Sequence, residues 1–157
     1  RIVFMYPLVE MAVAGGAVEP NRNEACRAKM NNYLEEWGQG YSGRILSWKE
    51  GDTETNNTVH IWDLKVADPK AFKMGHDNIV ETFGEDFTDR VVGFGTYDIG
   101  RPNNATHWVA LTGKDRNDLM MLYDKLQNND QFVELIQSRG ASESVKDYEL
   151  EILRRIQ

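Results

Sequence analysis

The stretch that decides the fold begins Thr58-Val59-His60-Ile61-Trp62-Asp63-Leu64-Lys65-Val66 and continues through Asp68-Pro69. Phe72, His76, Ile79, Val80 and Phe83 follow at helical spacing, then Gly84, then Arg90-Val91-Val92-Gly93-Phe94. The first run is rich in β-branched and aromatic residues, which suit a pleated, half-buried strand. Asp68 is a helix N-cap residue. Pro69 suits the first helical position, because the amide it lacks would be unpaired there anyway. The stretch reads as strand, helix, strand.

Both flanks echo this unit. Laid without a gap on Phe72–Val92, Cys26–Leu46 matches Asn32, Glu35, Gly38 and Arg44 to identical residues, and Trp37-Gly38 falls on Phe83-Gly84. Downstream, one shift places His60 on His107, Leu64 on Leu111, Asp68 on Asp115, Met74 on Met121 and Asp77 on Asp124. Three related βαβ units account for these matches.

Read in order, Leu8–Ala14 alternates as a strand, with Arg1–Pro7 as an arm before it. A helix follows, with Cys26, Met30, Tyr33, Leu34 and Trp37 on one face. Arg44–Trp48 is a strand, and the polar run Gly51–Asn57 reads as a hairpin loop. After the central unit, Thr106–Thr112 is a strand. Asp115 caps a helix with Leu119, Leu122, Tyr123 and Leu126 on its apolar face. Asn128-Asn129-Asp130 interrupts it, a short helix carries Phe132, Val133 and Ile136, and Asp147–Ile156 closes the chain as a strand. Residues 1–57 form an N-terminal βαβ unit extending the sheet, and residues 58–157 a βαββαβ domain, in one compact body.

The chain has 157 residues and a formal net charge of −7. That charge argues against a nucleic-acid backbone or an anionic membrane surface as partner. No apolar run has the length of a membrane span. Cys26 is the single cysteine, so neither an intrachain disulfide nor a multi-cysteine zinc site can form. Residues 1–17 have the positive start and small-residue end of a secretory leader, but Glu10 interrupts them. They are read as structural, with the compartment open between cytoplasmic and secreted or periplasmic.

The element order of residues 58–157 resembles the ferredoxin-like fold: an α+β architecture with an antiparallel sheet and helices on one face. The broken third helix and the mid-strand aromatics resemble the dimeric α/β-barrel superfamily within it. The resemblance rests on element order, and the first βαβ unit departs from it. It implies a homodimer whose sheet encloses a small apolar or aromatic ligand. The superfamily includes cofactor-free monooxygenases, haem-degrading enzymes and binding proteins.

Among chemical candidates, His60 and His107 occupy equivalent positions on strands expected to be neighbours, where two imidazoles can shuttle protons near neutral pH. The plainer reading is two half-buried histidines with no shared site. His76 lies on the helix face that carries Ile79 and Phe83, as a pocket group or as a core residue. Trp62, Trp108, Phe94 and Tyr97 are pocket walls or core packing. Gly93 and Gly95 flank Phe94, where missing side chains open a cavity, admit a close neighbour or mark a bulge. No third ligand or His-Glu-x-x-His pattern points to a metal, and no motif points to a cofactor. The function expected is binding of a small apolar or aromatic molecule in the concave face of the sheet, through His60, Trp62, His76, Phe94, Tyr97, His107 and Trp108. The alternatives are an assembly protein using an edge strand and the N-terminal arm, and a cofactor-free monooxygenase-like enzyme.

Overall fold

The computed structural model describes Glu24, Ala25, Ala28, Lys29, Asn31, Asn32 and residues 38–153. The chain divides into two compact units, Arg1–Gln39 and Gly40–Gln157. In the first, Glu24, Ala25, Ala28, Lys29 and Asn31 are helical. The expected strand Leu8–Ala14, the arm Arg1–Pro7, the leader-like stretch 1–17 and the apolar face from Cys26 to Trp37 lie outside the described residues.

The second unit is a mixed α+β structure. Its elements are β1 (Ile45–Lys49), β2 (Thr58–Val66), α1 (Pro69–Thr82), β3 (Val92–Thr96), β4 (His107–Gly113), α2 (Arg116–Gln127), α3 (Asp130–Ser138) and β5 (Ser142–Glu151). The five strands form one sheet in the order β1-β3-β4-β2-β5, and every pairing is antiparallel.

The helices start where local chemistry dictates. The Asp68 carboxylate accepts from the amides of Lys70 and Ala71, each at 3.0 Å, and Pro69 opens α1. Asp115 accepts from the Asp118 amide at 2.8 Å, and Asn129 from the Phe132 amide at 3.2 Å. These bonds satisfy amides that have no partner inside a first helical turn.

Alternation along the strands separates two faces. On one face Val92, Leu111 and the partly buried Trp62 meet Ile79, Phe83, Leu119, Leu122 and Leu126 from α1 and α2. Leu64, Val66, Phe72 and Phe94 continue this layer. The opposite face gathers Val59, Ile61, Ala110, Trp108, Tyr148 and Leu150. The strand glycines serve that face. A methyl group at Gly93 would lie 2.8 Å from the Trp48 ring, and one at Gly95 2.3 Å from Trp108. Two indoles fill the space those side chains would take, so the glycines admit close neighbours and open no cavity.

Two expectations are corrected. Gly51–Asn57 is no hairpin loop, because β1 pairs with β3 while β2 pairs with β4 and β5. The loop carries the chain from the sheet edge to its interior. It is fixed where the Asp52 amide and the Asn56 side-chain amide both donate to the Asp89 carbonyl, at 2.8 and 2.9 Å. The last strand runs from Ser142 to Glu151, starting earlier than its apolar alternation indicates. Gly140, at φ +102°, turns the chain out of α3, and β2 then offers pairing partners from Val66 back to Thr58.

Candidate functional site

Between the sheet and the helices lies a cavity of about 850 Å³. Its floor is His60, Trp62 and Leu64 of β2 with Val109 and Leu111 of β4. Its walls are His76 and Ile79 of α1 and Tyr123 and Leu126 of α2. Phe132, Val133 and Ile136 of α3 form the roof. No residue of α3 is buried; Phe132, Leu135 and Ile136 are partly buried and pack against the helix-side core.

One end is organised by β2, α2 and β5. His60 Nδ1 and the Tyr123 hydroxyl are 2.9 Å apart. The His60 ring lies 4.0 Å from that of Trp62, and Tyr123 meets Trp62 edge-on at 5.7 Å. Burial raises the pKa of Tyr123, so its hydroxyl stays protonated. Burial lowers the pKa of His60, opposed by the nearby carboxylates of Asp147 and Glu149. Glu149 is itself held by Arg116, with contacts of 2.7–3.0 Å.

The other end is organised by α1 and the chain after α3. The His76 side chain is 5% exposed, and its Nε2 is buried with no hydrogen-bond partner. Its Nδ1 lies 3.4 Å from Asp77 Oδ1. Asp77 also accepts from Lys73 at 2.5 Å and from the Ser47 hydroxyl. Burial works to raise the pKa of Asp77, but the bonds from Lys73 and Ser47 outweigh it and the pKa is lowered. An ionised carboxylate only accepts, so His76 Nδ1 carries the proton and Nε2 presents a lone pair. Burial lowers the pKa of His76, which favours this neutral form. Arg139 lines the same end, its guanidinium carbon 4.6 Å from the centroid of the Phe72 ring.

Of the expected site residues, His60, Trp62 and His76 line the cavity. Phe94 and His107 lie behind it on the same face. Phe94 is fully buried, stacked on His107 at 5.3 Å and tilted against His76 at 5.5 Å. Trp108 and Tyr97 belong to the opposite face, where the Tyr97 hydroxyl donates to buried Asp63 at 2.5 Å. His60 and His107 do not meet. β2 and β4 are neighbours, but His60 pairs with Leu111 and His107 with Leu64, so about four strand residues, or roughly 13 Å, separate them.

Sequence reasoning missed Arg139 and Asp147 and placed Tyr123 only as helix core. The spacing of Tyr123 with Leu119 and Leu126 gave its face but not its partner on β2. Arg139 carries no local signal. It is placed by Gly75 of α1, where a methyl group would lie 2.4 Å from Arg139 Cβ.

Among the described residues no cluster of three or more His, Cys, Asp or Glu can hold a metal ion, and no helix is long and apolar enough to cross a membrane. Compared with known proteins, the sequence matches no family model and no curated protein.

Proposed function

We propose that this protein binds a small apolar or aromatic molecule in the space between its sheet and helices. The observation that carries the reading is the cavity of about 850 Å³, apolar for most of its lining, with polar atoms at its two ends. Sites for small molecules run to roughly 300–1,000 Å³, with apolar walls and a few placed polar groups. The reading includes the finer fold: residues from 58 onward as a ferredoxin-like βαββαβ domain of the dimeric α/β-barrel type, with β1 added at the sheet edge. The element order and the sheet order support it.

The test is ligand-linked stability. The bicyclic probe 2-naphthol, at about one hundred times its Kd, stabilises the protein by about 2.7 kcal/mol if it binds the folded state alone. Val133→Trp places an indole in the roof of the cavity and abolishes that gain. A 2-naphthol effect that survives the plug, or a wild type that shows none, overturns the reading. An assembly role is the second reading, favoured by β1 and β5, each paired on one side only in this sheet. A monomer in light scattering excludes self-assembly, and the dimeric arrangement of the first reading with it.

A further inference from the structure

Among the described residues Arg44, Arg90 and Arg116 each hold a carboxylate, on Asp98, Asp118 and Glu149. Arg101 is exposed. Arg139 differs from all of these. It is half-buried, it lines the cavity, and its guanidinium lies against the face of Phe72, itself fully buried. No hydrogen bond or ion pair joins its side chain to another described residue. A guanidinium withdrawn from water without an anion is costly, and a ring face offsets little of that cost. Next to it in the same cavity lining, His76 presents a buried Nε2 with no donor. A buried nitrogen lone pair without a donor also carries a cost. Two unsatisfied groups of opposite demand thus lie at one end of an apolar space. One needs an anionic acceptor and the other needs a donor.

We infer that the ligand is a hydroxy acid with an apolar body: its carboxylate pairs with Arg139, its hydroxyl donates to His76 Nε2, and its apolar part lies against Leu64, Ile79 and Ile136. This rests on the cavity reading above and names the ligand class for it. A single guanidinium with no further unpaired cation beside it suits one negative charge. Lys73, close enough to act on His76, is already held by Asp77. The exposed carboxylate of Asp147 lines the other end, by Trp62 on the neighbouring strand, and disfavours an anion there.

The experiment titrates the full chain calorimetrically with three probes: 2-naphthylglycolate, 2-naphthylacetate, which lacks the hydroxyl, and 2-naphthylglycolamide, which lacks the charge. The glycolate is expected to bind about tenfold or more tighter than either. Arg139→Gln should weaken the glycolate and the acetate by a similar factor and spare the amide. His76→Phe should weaken the glycolate and spare the acetate. If Arg139→Gln fails to fold, the three probes on the wild type still decide. An amide that binds as tightly as the glycolate overturns the anionic site while leaving the cavity reading intact. An acetate that matches the glycolate overturns the hydroxyl contact, and with it the hydroxy-acid class. No binding by any of the three overturns both.

Discussion

His60 Nδ1 and the Tyr123 hydroxyl form a 2.9 Å hydrogen bond that joins the interior strand β2 to helix α2 at one end of the cavity. It is the one direct hydrogen bond that either side chain makes among the described residues. Tyr123→Phe removes the hydroxyl and leaves His60 Nδ1 facing an apolar ring. The expected loss is about 1 kcal/mol of folding stability, with the larger part from the imidazole nitrogen left unsatisfied. Urea unfolding of the two proteins measures it. Identical midpoints would mean that water replaces the hydroxyl without cost.

Acid should destabilise the protein before its carboxylates titrate. The pKa values of His60, His76 and His107 are all lowered, in each case by burial first. Asp147 and Glu149 oppose this at His60, Asp77 at His76 and Asp98 at His107, while Arg116, Arg139 with Lys73, and Arg101 reinforce it. A folded-state pKa below the unfolded value of about 6.5 means that the unfolded chain takes up protons first. Stability is therefore full above that value and is lost as the pH falls through it towards the folded pKa. Melting temperatures from pH 7.5 down to about 5 should fall, and less steeply in His76→Phe. A flat wild-type profile contradicts the burial argument.

Arg90 clamps the loop before β3 to the start of α2. It donates to both oxygens of Asp118 at 2.7 and 2.8 Å and to the Thr112 carbonyl at 3.0 Å. The side chains are 12% and 25% exposed, so water screens the pair only in part. Arg90→Lys keeps the charge but loses the two-pronged geometry. It should cost about 1.5–3 kcal/mol by chemical denaturation, the range for hydrogen bonds to charged groups. A loss below about 0.5 kcal/mol would place the pair with ordinary surface bridges.

How much of this was legible in the sequence depended on how local the cause was. Asp68-Pro69 and the spacing of Phe72, His76 and Ile79 specified α1, because cap and face are written within a few residues. Equivalence between units was misleading for His60 and His107. In neighbouring antiparallel strands, equivalent residues run in opposite directions and end apart. The Gly51–Asn57 loop has hairpin composition, yet nothing in it tells which strand the chain joins next. Arg139 was invisible because its place is set by Gly75 on another helix.

Gly93 and Gly95 illustrate the same limit. Glycine in a strand announces a close neighbour but not which one. At Gly95 an added methyl would lie 2.3 Å from Trp108 and 2.4 Å from the Arg44 carbonyl oxygen, so ring and backbone must both shift. Gly95→Ala should destabilise by about 1–3 kcal/mol through overpacking. Gly40→Ala, where nothing lies within 4 Å, should stay within about 0.5 kcal/mol. Equal effects of the two in thermal unfolding would contradict the fit of Trp108 on Gly95.

The central claim is that the ligand space lies between the sheet and the helices, and methyl NMR tests it most directly. With isoleucine, leucine and valine methyls labelled and 2-naphthol titrated in, the account predicts shifts that cluster at Leu64, Ile79, Val109, Leu111 and Ile136. Shifts confined to Val59, Ile61 and Leu150 on the opposite face, or no saturable shift at all, would contradict it.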